Sequence, residues 1–114
     1  MLSRKSRILN QRLIAKLNKE GPSYKTSHFV FKFLPSISED SKFAVSISKQ
    51  FSRKAVSRNR IRRQITESIR LNMSILKNPI VCLVTTKKGI PEDLEYCVIE
   101  SQIKEFFNHA HINV

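Results

Sequence analysis

The sequence predicts an α+β fold, a two-layer α/β sandwich in the order α-β-β-α-β-α with room for one extra short strand. Three observations carry that expectation. Three segments repeat apolar residues every third or fourth position, two others alternate residue by residue, and a short β-branched run stands between the last two helical segments. The 114 residues hold no internal repeat, linker or low-complexity stretch, so one domain spanning 1–114 is expected, with any binding surface built into it.

In chain order, Leu9, Leu13, Ile14 and Leu17 fall at helical spacing, with Asn10 a candidate N-cap and Gly21-Pro22 a stop, which predicts a helix from Asn10 to Glu20. From His28 to Leu34, Phe29, Phe31 and Phe33 share one face of a strand, while Val30, Lys32 and Leu34 share the other. Leu34–Lys42 has turn chemistry. Beyond it Phe43, Val45 and Ile47 alternate with Ala44, Ser46 and Ser48, and an antiparallel hairpin of these two strands is the simplest reading.

Ile61, Ile65, Ile69 and Met73 recur every fourth position and define a helix from Ser57 to Asn72. The run Ile80–Val84, between Pro79 and Lys87-Lys88-Gly89, reads as a buried strand. Ile99, Ile103, Phe106, Phe107 and Ala110 fit a last helix from Asp93 to His109, with Asp93 near its positive end.

Charge narrows the function. The 21 Lys+Arg against 9 Asp+Glu give +12, a self-repulsion that a polyanionic partner relieves. Residues 1–77 carry +14 of formal charge and residues 78–114 carry −2, so the partner is expected to meet the first two thirds. With 40% hydrophobic residues and seven Phe, the chain has material for a core and is not a disordered basic tail. No apolar run approaches the roughly 18 residues of a spanning helix, and the start Met1-Leu2-Ser3-Arg4-Lys5 leads into polar sequence, which predicts a cytoplasmic protein. Cys82 and Cys97 form no CxxC pair and are expected as small core residues in a reducing compartment.

The most informative segment is Lys49–Arg63, with seven basic residues and no acidic one. It packs cations into the approach and first turns of a helix, where the macrodipole disfavours Arg58 and Arg60 by a few tenths of a kcal/mol each. Function explains the misplacement, because free N–H groups at a helix start bind phosphate and arginines around them add bidentate donors. Helical geometry puts Arg60, Arg63, Glu67 and Arg70 in one row and Arg58 and Arg62 in another. Glu67 is placed to orient Arg63 and Arg70, at about 0.2–0.5 kcal/mol per exposed pair.

Here the sequence resembles a family. Lys54-Ala55-Val56-Ser57-Arg58-Asn59-Arg60-Ile61-Arg62-Arg63-Gln64-Ile65-Thr66-Glu67 is similar to the signature of bacterial ribonuclease P proteins, an Arg-Asn-Arg core followed by an aliphatic residue, Lys/Arg-Arg and a later Glu. The likeness extends to the basic start, the short helix ending at Gly21, the strand at Phe29–Phe33, Ser46-Ile47-Ser48-Lys49 before the motif, Ile80–Val84 after it, and the final helix.

The resemblance implies a left-handed βαβ crossover, against the usual handedness. It also implies a division of labour: a catalytic RNA with its Mg2+ hydrolyses the phosphodiester, and the protein stabilises that RNA and holds the 5′ leader of precursor tRNA. The candidate RNA-binding residues are Lys49, Arg53, Lys54, Arg58, Asn59, Arg60, Arg62, Arg63 and Arg70; the candidate leader-binding residues are Ile14, Lys32, Asn59, Arg62 and Thr66. No catalytic residue, metal ligand or protein-bound cofactor is expected in the protein itself. Thr66 and Gln50 stand where the family has further cations, which predicts a lower affinity and salt slope. Ile14, Asn18 and Lys32 stand where it has leader-cleft aromatics, which replaces base stacking with a phosphate contact from Lys32.

Other chemistry is not encoded. There is no Gly-rich phosphate loop, no HExxH and no zinc-spaced Cys/His set. His109 and His111 are expected to be exposed or fraying, and Glu92, Asp93, Glu95, Glu100 and Glu105 to form a solvated face turned from RNA. The alternatives are a ribosomal or other structural RNA-binding protein, a DNA-binding module using the helix at Ser57–Asn72, and a protein-only nuclease. The motif argues against the first, the absence of a helix-turn-helix partner against the second, and the absence of clustered carboxylates against the third.

Overall fold

The structure is a computed structural model that describes residues 11–20, 22–36, 40–47, 54–76, 78–87, 90–91 and 93–113. The aromatic alternation of Phe29, Phe31 and Phe33 forms strand β2, Phe29–Pro35, with all three rings buried on one face. The other strands are β1, Ser23–Lys25; β3, Lys42–Ser46; and β4, Ile80–Thr86. Helices α1, Gln11–Glu20, α2, Ala55–Asn72, and α3, Tyr96–Asn113, complete the set, with a 3-10 turn at Met73–Ile75 after α2. The α+β class and the element order agree with the sequence expectation, β1 being the extra short strand.

The strands lie in the order β1-β2-β4-β3. The expected hairpin between the Phe29 and Phe43 strands does not form. Strand β2 makes its hairpin with β1, Tyr24 opposite Phe31, while β4 lies between β2 and β3. Phe33 pairs antiparallel with Cys82, and Phe43 pairs parallel with that same residue from the other side.

The physical reason is burial. Ile80, Cys82 and Val84 enter the core beneath α2 and α3, while Val81 and Leu83 pack with Leu17 of α1 on the opposite face. A strand apolar on both faces is stable only at the centre of a sheet. The edges fall to β1 and β3, which carry Ser23, Lys25, Lys42 and Ser46. Parallel β3 and β4 require a crossover, and α2 supplies it. The connection before β3 is tied to β4: the Ile80 N–H donates to Ser41 Oγ at 3.1 Å, and the Ser36 N–H to the Pro79 carbonyl at 3.0 Å.

The core centres on aromatic contacts between sheet and α3. Phe31 stacks on Phe106 with centroids 4.3 Å apart, Phe33 meets Phe106 edge-on at 5.2 Å, and Phe43 lies 5.8 Å from Phe107. Each buried ring contributes about 1.5–3 kcal/mol of transfer free energy. Ile61, Ile65 and Ile69 add the α2 stripe, fully buried as its four-residue spacing requires.

Three further expectations are corrected. The last helix begins at Tyr96, because a turn closed by the Leu94 N–H on the Pro91 carbonyl brings Leu94 into the core; Asp93 lies in that turn and not in the helix. Cys82 is buried as expected, but Cys97 is exposed, on the face of α3 away from Ile99, Ile103 and Phe106. His109 is half-buried and stacked on Tyr24 at 4.2 Å, since α3 runs on to Asn113.

Candidate nucleic-acid interface

Helix α2 positions the motif. With Ile61, Ile65 and Ile69 turned to the core, a 100° step per residue puts Asn59, Arg62, Arg63, Thr66 and Arg70 on the outer face. Asn59, Arg62, Arg63 and Arg70 are exposed, and Thr66 is half-buried. Lys54, at the N-cap, has extended backbone and supplies no side-chain cap to the first N–H groups of α2. The first turn, whose Ala55, Val56 and Ser57 N–H groups precede the Arg58 N–H bond to the Lys54 carbonyl, therefore begins without the Ser, Asp or Asn that usually satisfies such donors.

The arginines differ in what holds them. Arg58, Arg62 and Arg63 make no ion pair with a carboxylate among the described residues. Arg62 donates from Nη1 to Asn59 Oδ1 at 3.4 Å, so the two are coupled on one turn. Arg60 is half-buried and donates from Nη2 to the Leu94 carbonyl at 3.2 Å.

Arg70 is bidentate on Glu67, with Nε to Oε2 at 3.1 Å and Nη2 to Oε1 at 2.5 Å. That guanidinium holds the Glu67 carboxyl below the usual carboxylate range. Glu67 thus pairs with Arg70 and, among the described residues, not with Arg63. The (i, i+3) geometry lets one fork take both carboxylate oxygens. Lys49, Arg53 and Gln50 lie outside the described residues, as do Asn10, Gly21, Glu92 and the His111 side chain.

The leader candidates divide between two surfaces. Asn59, Arg62 and Thr66 share the outer face of α2, the Thr66 hydroxyl donating to the Arg63 carbonyl at 3.0 Å. Ile14 and Lys32 lie across the sheet, on the α1 side. Ile14 is half-buried against Leu17, Val81 and Leu83. The Lys32 ammonium donates to the Asn18 carbonyl at 3.0 Å, in the last turn of α1. Near it, and absent from the sequence expectation, Arg12, Lys16 and Lys19 are exposed on the side of α1 opposite Leu17. Their i, i+4, i+7 spacing was legible beside the apolar stripe of the same helix.

The acidic residues lie elsewhere. Asp93, Glu95 and Glu105 are exposed on α3 or its approach, while Glu100 is half-buried and accepts from Tyr96 and Asn72, both at 3.3 Å. A buried glutamine within α3 also clamps the β1–β2 turn. Gln102 Oε1 accepts from Thr26 Oγ1 at 2.5 Å and from the His28 N–H at 2.9 Å, with Gln102 Nε2 2.6 Å from His28 Nδ1. Among the described residues no three His, Cys, Asp or Glu side chains group as metal ligands, and no helix is long and apolar enough to cross a membrane.

Known proteins match the chain in sequence and in fold. A family model described as Ribonuclease P matches residues 2–111. The ribonuclease P protein component of Clostridioides difficile is 30% identical over 99 residues, covering 87% of this chain and 86% of that protein. The component from Rickettsia bellii is 30% identical over 114 residues, covering 89% and 93%. The solved RNase P protein of Thermotoga maritima superposes with a TM-score of 0.81 at 20% identity, covering 91% of this chain and 96% of that one. The Staphylococcus aureus protein gives 0.79 at 22% identity, covering 91% and 94%.

Proposed function

The chain belongs to the ribonuclease P protein family, and from that premise we propose that it is the protein subunit of a ribonucleoprotein endoribonuclease that removes the 5′ leader from precursor tRNA in the cytoplasm. The carrying observation is the outer face of α2, where Arg62 and Arg63 stand exposed, unclaimed by any carboxylate among the described residues, beside Asn59. Such a face neutralises phosphates, and each contact releases counterions from the RNA.

In this reading Arg58, Arg62 and Arg63 hold backbone phosphates of the catalytic RNA, together with the N–H groups that begin α2, to which Lys54 gives no side-chain cap. Asn59, which can both donate and accept, adds contacts the arginines lack. The α1 side of the sheet, with Lys32 and the exposed cations Arg12, Lys16 and Lys19, offers a second cationic surface for the leader. Two such surfaces on opposite sides of one thin sheet suit a protein that lies between its RNA and its substrate.

The chemistry is assigned to the RNA. Mg2+ held there would activate water and stabilise the leaving oxygen during phosphodiester hydrolysis. The protein's part is to raise affinity and bring the RNA fold together, so its effect should be greatest where Mg2+ is scarce.

Reconstitution tests this reading. The chain is added to a bacterial ribonuclease P RNA at low Mg2+, and release of the 5′ leader from precursor tRNA is measured. Stimulation that saturates with protein supports the reading. RNA binding without stimulation at any protein concentration would leave a structural RNA-binding protein in its place.

A further inference from the structure

Both arginines in Arg58-Asn59-Arg60 are half-buried, and the second is turned from the outer face toward the segment that precedes α3. One residue beyond Asn59, it lies about 100° around the helix, toward α3. There its guanidinium Nη2 donates to the Leu94 carbonyl at 3.2 Å, and the side chain is half-buried. Resting on the docking reading above, we propose that Arg60 is a positioning residue: it fixes the first turns of α2 against the Ile90–Leu94 segment and sets the direction in which Asn59, Arg62 and Arg63 face RNA.

The acceptor is suited to the role. Ile90 and Leu94, both between β4 and α3, are buried in the main core, so the Leu94 backbone is held in place. The Leu94 N–H closes the turn on the Pro91 carbonyl at 3.3 Å. The hydrogen bonds of α3 begin one residue later, when the Val98 and Ile99 N–H groups donate to the Glu95 carbonyl at 3.1 and 3.2 Å. The Leu94 carbonyl is thus left over from both turn and helix, and the guanidinium satisfies it with a charge-assisted bond.

The consequence concerns orientation. Ile61, Ile65 and Ile69 set which face of α2 is buried, but apolar contact is non-directional and leaves small rotations about the helix axis less restrained than a hydrogen bond does. A directional bond from the flank of α2 to a core-anchored carbonyl restrains that rotation, so the outer cations are preorganised before RNA arrives. The motif then divides by role, with Arg58, Arg62 and Arg63 as phosphate contacts and Arg60 holding the platform from which they reach.

The salt dependence of RNA binding separates these roles. Affinity of the full chain for a ribonuclease P RNA is measured across a salt series for wild type, Arg63→Met, Arg60→Met and Arg60→Gln, with thermal midpoints recorded to show each variant folded. Arg63→Met should flatten the log–log slope by about 0.7–0.9, the loss of one phosphate contact. Arg60→Met should lower affinity by roughly tenfold at every salt concentration while keeping the wild-type slope, because the same phosphate contacts still form but only after α2 is realigned. Arg60→Gln, a neutral donor, should recover part of that loss, again at wild-type slope.

Flattening by either Arg60 variant to the extent seen for Arg63→Met would show Arg60 on a phosphate and overturn the proposal. So would unchanged affinity with only a lowered thermal midpoint. If Arg60→Met does not fold, the slope of Arg60→Gln decides alone. An unaltered slope in Arg63→Met would instead count against the docking reading itself, a failure distinct from that of Arg60.

Discussion

The Lys32 ammonium lies 3.0 Å from the carbonyl oxygen of Asn18, joining the middle of β2 to the last turn of α1. A cation here satisfies a helix-end carbonyl and complements the negative end of the macrodipole. Replacing Lys32 by Met keeps the apolar stem and removes the bond. The variant should lose about 0.5–1 kcal/mol in urea unfolding, with faster amide exchange confined to α1. Unchanged exchange in α1 would mean that the contact does not hold the helix.

Gln102 should be among the costliest polar positions to truncate. Its carboxamide serves the Thr26 hydroxyl, the His28 N–H and the His28 ring, and Thr26 and Gln102 are both buried. Gln102→Ala strands these groups and should destabilise the protein by about 1–3 kcal/mol. A denaturation midpoint matching wild type would show that water substitutes for the carboxamide.

The two thiols should behave oppositely. Burial pushes the Cys82 thiol well up, so little thiolate is available, whereas Cys97 is exposed on α3. An aromatic disulfide reagent should label one cysteine in the native protein and both in denaturant. Native labelling of two would place β4 in a more open arrangement than its central position allows.

Tyr24 gives the stability a dependence on alkaline pH. Its hydroxyl donates to Glu105 Oε2 at 2.7 Å, and that bond, with a smaller contribution from burial, raises the phenol above its usual range. An acid whose folded pKa is raised adds stability that is complete below the unfolded value and is lost as pH rises through the folded one. The stability gap between wild type and Tyr24→Phe should therefore be constant near neutrality and shrink above about pH 10. A gap that widens in alkali would contradict the geometry.

Glu67 restrains Arg70, since the carboxylate takes both arms of the fork. Glu67→Gln should loosen the pair, remove one negative charge from α2 and raise affinity for ribonuclease P RNA by roughly two- to fivefold at low salt. The gain should vanish at high salt; one that persists there would point to a change in shape instead of charge.

Much of this protein follows from local sequence. The four-residue spacing of Ile61, Ile65 and Ile69 determined which face of α2 is buried, and so which cations lie outside, because a helical face is set by residues within two turns of one another. Phe29, Phe31 and Phe33 determined the buried face of β2 by their alternation alone. The basic run and the Arg-Asn-Arg motif were equally legible, being contiguous.

Tertiary structure decided what depends on distant partners. Strand order is one case: alternation says which side of β2 is apolar but not whether Phe43 or Cys82 lies beside Phe33, and the answer came from a β4 whose two faces both need cover. The unbroken apolar run Ile80–Val84 was the one local sign of that central position. The fates of individual cations are the other case. Arg60, Arg70 and Lys32 look alike in the chain, yet each meets a different acceptor, the Leu94 carbonyl, the Glu67 carboxylate and the Asn18 carbonyl. A long charged side chain is assigned by whatever oxygen the folded backbone brings within 3 Å or so, and that is settled only when the elements pack.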